Sequence, residues 1–187
     1  ITKNQQPATQ ILIYNFPFNN KKKYKINVQY DTLEKYFILE HIKTLKNKKL
    51  SLTTLFKADY KLMTIFYDYY KKQGVEHFYM YYNGSINNEI RKYFNKKDIT
   101  LIEWNFVYWN KNARFSQHYA QLGQMHDAIY RFGKDNSEYM IFCDLDEYMS
   151  LTNKRLIDLT EDTSVDTYGF CNVWASTFDG KIPKKFP

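Results

Sequence analysis

The sequence predicts a single α/β domain, with a mostly parallel sheet, helices on both of its faces and an N-terminal extension before it. From Leu50 onward, apolar runs of strand length alternate with stretches of helical periodicity, which is the pattern of βαβ units. Several of the strand-like runs are continuously apolar rather than alternating, as strands covered on both faces are. The 187 residues are 44% hydrophobic and 25% charged, enough for one domain with a real core. That composition excludes collagen-like, mucin-like and wholly disordered chains.

The elements follow in chain order. Residues 1–49 read as an extension packed on the domain. The segment Ile11–Phe18 is interrupted by Asn15 and Pro17 and is far too short to cross a bilayer, so no transmembrane or signal segment is expected in this chain. Thr32–Lys46 predicts a helix, with Leu33, Phe37, Ile38, Ile42 and Leu45 on one face. The domain proper, 50–187, starts with a strand at Leu50–Phe56. Asp59 then reads as the cap of a helix carrying Leu62, Met63, Phe66, Tyr69 and Tyr70, closed by Gly74. Val75–Tyr82 is a second strand, ended by the turn signal Asn83-Gly84-Ser85. A short helix at Asn87–Phe94 and a third strand at Ile99–Trp104 follow. After an aperiodic connection, Asn105–Phe115, Ser116 opens a helix to Phe132 with Tyr119, Leu122, Met125, Ile129 and Phe132 at spacings of three and four. Tyr139–Phe142 is a fourth strand, and Tyr168–Ala175 reads as a fifth.

Charge and aromatics invite a nucleic-acid reading that the details oppose. The formal charge is +7, and 18 Tyr, 14 Phe and 3 Trp make up 19% of the chain. Yet 23 of the 27 cations are Lys and only four are Arg, the residue whose planar fork reads phosphates and base edges. The charge is also uneven: residues 1–100 hold 18 cations and 8 anions, residues 101–187 hold 9 and 12. The Lys clusters at 21–23, 46–49 and 96–97 fall at turns and element ends, where they read as solvated surface. Two cysteines, Cys143 and Cys171, cannot form a zinc site alone, and the four histidines lack ligand spacing.

The chemistry concentrates in Tyr139-Met140-Ile141-Phe142-Cys143-Asp144-Leu145-Asp146-Glu147-Tyr148. Three carboxylates at the carboxyl end of a buried strand repel one another and would cost several kcal/mol if dry and unpaired. A hard divalent cation offsets that cost. Asp144 and Asp146 project to one side and Leu145 inward. The carboxyl ends of strands are also where open α/β sheets bind ligands. Helix capping, or pairing with Lys and Arg, is the alternative for these acids.

This segment resembles the metal-binding DxD segment of GT-A glycosyltransferases, most closely the DxDEF form of glycosyltransferase family 92 and its bacterial and viral relatives. Leu55-Phe56-Lys57-Ala58-Asp59-Tyr60, Gly74-Val75-Glu76-His77-Phe78-Tyr79 through Ser85, Gln124-Met125-His126-Asp127-Ala128 and Trp174–Pro183 are similar to that family's segments in the same order. The resemblance spans roughly 50–187. It implies a GT-A domain that moves a sugar from a nucleotide-diphosphate donor, UDP-linked by expectation, to a hydroxyl of a glycan or glycoprotein with inversion. It implies Mn²⁺ or Mg²⁺ held by Asp146 and Asp144, with Asp144 also near the ribose. Lys57, Asp59 and Asn83 fall where base and ribose lie, and Arg114 or Gln121 would reach phosphate or sugar. Asp179 is the candidate general base, while Glu147 reads as structural. No nucleic-acid partner is implied. The location implied is cytoplasmic, bacterial or in the host of a virus, or Golgi-lumenal if an N-terminal anchor was removed. Two other classes compete: a DxD phosphoryl-transfer hydrolase, whose motif follows the first strand rather than the fourth, and a non-catalytic carbohydrate or nucleic-acid module, which leaves the two aspartates without a role.

Overall fold

A computed structural model describes residues 23–40, 47–108 and 119–174. The first described element corrects the expected helix over 32–46. Strands β1 (Lys23–Tyr30) and β2 (Leu33–Glu40) form an antiparallel hairpin with Ile26 opposite Phe37, and residues 41–46 lie outside the described residues. The cause is visible in β1. Tyr24, Ile26, Val28 and Tyr30 alternate with polar residues, and Asp31 takes the left-handed conformation that a tight turn needs (φ 53°). The apolar residues of β2 are thereby claimed by a ladder rather than by a helical face.

The main sheet begins with β3 (Lys48–Phe56) and continues through β4 (His77–Tyr82), β5 (Ile99–Glu103) and β6 (Ser137–Phe142). Its order is β5-β4-β3-β6 and every pairing is parallel. A 3₁₀ turn, Tyr60–Leu62, leads into α1 (Met63–Lys72), and α2 (Asn88–Tyr93) is capped by the Asn87 side chain, which accepts the Ile90 N–H at 3.0 Å. Gly74 ends the α1 segment at φ 93°, and a Cβ there would collide with Ile157, so the position needs glycine twice over.

One face of the sheet packs Leu52, Phe56, Phe78 and Met80 against Met63, Phe66 and Tyr70 of α1. The other packs Tyr79 and Tyr81 against Ala128 and Phe132. β4 is therefore buried on both sides, which explains its unbroken run of large apolar and aromatic residues.

On that second face lies α3 (Tyr119–Ala128), extended by a π turn at Ile129–Gly133 and a short helical turn at Lys134–Asn136. The expected start at Ser116 lies outside the described residues. The buried face also differs from the expected one: Ala120, Gln124 and Ala128 are inside, while Leu122 is 52% exposed and Ile129 is exposed. Two alanines at i, i+8 let the helix approach the sheet closely, and the π turn advances the register so that Phe132 stacks on Tyr79 at 4.1 Å. The fifth strand is a second correction. Residues 168–174 form no strand; Trp174 is 96% exposed, and Tyr168 donates to the Leu159 carbonyl at 2.9 Å instead of entering a ladder. Cys171, expected in that strand, is exposed, and both cysteines are free thiols.

Candidate functional site

The chain runs β3, β4, β5 outward in one direction and then places β6 on the opposite side of β3. The gap between the carboxyl ends of β3 and β6 is thus the topological switch point, where nothing in the sheet itself covers the strand ends. A cleft of about 400 Å³ opens there, lined by Lys57 and Asp59 after β3, Asn83 after β4, Tyr108 beyond β5, and Asp144 and Asp146 after β6. Five of the expected site residues therefore share one cleft.

The two aspartates are displayed by a turn. Leu145 is 3% exposed and anchors it, while Asp144 and Asp146 face solvent. The Glu147 N–H donates to the Asp144 carbonyl at 3.1 Å, and the Asp144 N–H donates to the Glu147 carboxylate at 2.9 Å. Glu147 thus cinches the turn that carries the other two acids. Beneath it, the Tyr70 hydroxyl donates to the Glu147 carbonyl at 3.0 Å and accepts the Met149 N–H at 3.1 Å, and Tyr69 donates to the Met149 carbonyl at 2.6 Å. The helix α1 therefore fixes the backbone immediately after the DxD turn. Burial, reinforced by the nearby carboxylates, pushes the Cys143 thiol up to about 12, so it stays protonated and inert.

Helix α3 reaches the turn from the other face. Gln124 donates to Thr53 at 2.7 Å, and Thr53 donates to the Tyr79 carbonyl at 3.0 Å, which locks the helix to β3. One turn earlier, Gln121 Nε2 donates to Asp144 Oδ1 at 3.2 Å, across a smaller hollow of about 180 Å³ that Glu147 also lines. The Tyr108 hydroxyl donates to Gln121 Oε1 at 3.4 Å, and burial, then the Asp144 charge, raises its pKa.

Asn83 is 5% exposed, and its amide donates to the carbonyls of Trp104 (2.9 Å) and Phe106 (2.8 Å), so it shapes the loop that carries Tyr108. Asp59 occupies the position before the 3₁₀ turn, yet its side chain makes no capping bond there and instead lines the cleft. Lys57 is exposed on the same rim. Arg114 and Asp179 lie outside the described residues. The sequence does not single out Tyr108; its one signal is an aromatic residue in an aperiodic connection after a strand's carboxyl end, where loops carry function. Among the described residues no group of three His, Cys, Asp or Glu side chains is arranged to hold a metal ion. Asp144 and Asp146 nevertheless bring two carboxylates from one turn to this cleft, the donor type that would suit a hard divalent cation.

A parallel sheet with helices on both faces and a polar cleft at its switch point defines a GT-A-like domain. A family model, glycosyltransferase family 92, matches residues 50–187, and the chain belongs to that family. It is a glycosyltransferase, with a sugar donor and an acceptor as its substrates. No curated protein and no solved structure matches it significantly.

Proposed function

We propose that the cleft binds a nucleotide-diphosphate sugar, UDP-linked by preference, together with Mn²⁺ or Mg²⁺, and that the sugar passes with inversion to a hydroxyl of a glycan or glycoprotein. The observation that carries this reading is that Asp144, Asp146, Lys57 and Asp59 line one cleft at the switch point. Asp144 and Asp146 would hold the ion, whose chemistry is to neutralise charge on the departing diphosphate. Lys57 adds a cation on the same rim, suited to a phosphate or to the developing negative charge. Asp59 and Asn83 stand where a ribose and base would seat, and Tyr108 offers a ring edge or face to the base. Asp179 is the proposed general base, since inversion needs a group to take the acceptor proton. Arg114 is proposed as a phosphate contact.

Among the described residues no helix is long and apolar enough to cross a membrane. A cytoplasmic site of action accompanies the proposal, with cell fractionation as its check.

Thermal unfolding with nucleoside diphosphates, with and without Mn²⁺, tests the reading. Stabilisation by UDP that requires Mn²⁺ and disappears in Asp146→Ala is expected. Stabilisation that ignores the metal, or persists in Asp146→Ala, overturns it.

A further inference from the structure

We infer that Gln121 and Tyr108 form a positioning relay that sets the orientation of the Asp144 carboxylate, an inference that rests on the donor-site reading above. An amide has a donor end and an acceptor end, and its neighbours decide which points where. Here the Tyr108 hydroxyl lies 3.4 Å from Gln121 Oε1 and Gln121 Nε2 lies 3.2 Å from Asp144 Oδ1, so the acceptor end of the amide faces Tyr108 and the donor end faces Asp144. The Asp144 backbone is fixed separately, by the Glu147 carboxylate on its N–H. The turn thus holds the Asp144 main chain, and α3 contributes a hydrogen bond to its side chain.

The residue type matters as much as the distance. A Lys or Arg at 121 would also hold Asp144, but its charge would compete with a divalent cation for the same carboxylate. A glutamine holds it without itself bringing a positive charge to that carboxylate. Partners of this kind, one step removed from a metal, are worth about 10- to 100-fold in metal affinity. Gln121 is itself keyed to the sheet, because Gln124 and Ala120 anchor the same helix against β3 and Trp104: Gln124 donates to Thr53 at 2.7 Å, and the Trp104 indole N–H donates to the Ala120 carbonyl at 2.8 Å.

Mn²⁺ titrated into the full chain with saturating UDP, read by loss of the free-ion EPR signal, tests the relay. Gln121→Leu keeps the volume and deletes the hydrogen bonds to Asp144 and Tyr108; Mn²⁺ binding about 10- to 100-fold weaker is expected, with Tm essentially unchanged. Gln121→Asn, which stays polar but falls short of Asp144, should weaken binding comparably and guards against a packing artefact. Gln121→Lys should bind Mn²⁺ more weakly than Gln121→Leu. Tyr108→Phe should have a smaller effect that vanishes in the Gln121→Leu background, because the two act in series. Wild-type affinity in Gln121→Leu and Gln121→Asn, with Asp146→Ala inactive in binding, overturns the relay and leaves the donor site standing. Full additivity of the Tyr108 and Gln121 effects also overturns it. A wild-type chain that takes up no Mn²⁺ with UDP sinks the donor-site reading and the relay together.

Discussion

The two faces of the sheet do different jobs at the same turn. On the α1 face the core is broad and aromatic: Phe66 and Tyr70 are fully buried, Phe66, Tyr69 and Tyr70 all pack on Tyr148, and the Tyr69 and Tyr70 hydroxyls hold backbone at Glu147 and Met149. On the α3 face the buried cluster is small, centred on Tyr79, Tyr81, Ala128 and Phe132, and the helix spends its polar residues on Thr53 and Asp144. One face supports the DxD turn through its main chain, and the other orients a side chain on it. Stability and ligand binding should therefore separate by face.

The largest expected effect is on the α1 face. Phe66→Ala removes a fully buried ring from the main cluster and should cost about 3–5 kcal/mol of unfolding free energy in urea. Phe132→Ala, on the smaller cluster, should cost less, because Phe132 stacks chiefly on one ring. Equal losses would break the asymmetry. Next in size is Tyr70→Phe, which strips one hydroxyl that serves both the Glu147 carbonyl and the Met149 N–H. A loss of about 1–3 kcal/mol is expected for those two partly buried partners. UDP and Mn²⁺ binding should weaken alongside it, since the turn's backbone loosens. Gln121→Leu is the contrasting case, weakening the ligand with little change in stability.

The sequence made the α1 face legible and the α3 face much less so. Leu52, Phe56, Phe66, Tyr70 and the β4 run carry periodicities that packing then obeyed, and Gly74 marked its turn by requiring a conformation no other residue takes easily. The α3 register was opaque because its inner positions are Ala120, Gln124 and Ala128, which are small or polar, so hydrophobicity pointed to the wrong side. The π turn added a shift that no spacing rule anticipates. In the cleft, Asp144 and Asp146 announced themselves by charge at a strand end. Tyr108 did not, because it reaches Gln121 and the cleft from a connection without periodicity. The hairpin at 23–40 is hidden in the sequence because β2 taken alone fits a helical face; only its partner strand identifies it. The Tyr168–Ala175 run had strand composition, yet 168–174 pair with no strand, and composition does not supply a partner.

The smallest effect separates the faces by pH. His77, on β4, is 7% exposed, lies against Tyr79 on the α3 side and pairs its Nε2 with Thr100 Oγ1 at 2.8 Å. Burial lowers its pKa from the ordinary histidine value, and the positive charges of Lys48 and Lys71 lower it further, against an opposing pull from Asp98. The folded state thus prefers the neutral ring, and the unfolded chain takes up the proton first. Stability is full above about pH 6.5 and falls as pH drops from there toward the depressed folded pKa, by at most about 1.4 kcal/mol per pH unit for one proton. Asp98 does not confuse this window. Its carboxyl is opposed by burial but held below its usual value by Lys71 and Tyr67, so its contribution is present above the ordinary carboxylate range and is lost as pH falls through that range toward the depressed value, below the histidine window. In His77→Gln, which keeps a hydrogen-bonding group for Thr100, urea unfolding between pH 5 and 7.5 should lose this slope. A slope that survives the substitution assigns the proton to another group and removes His77 from the account of the α3 face.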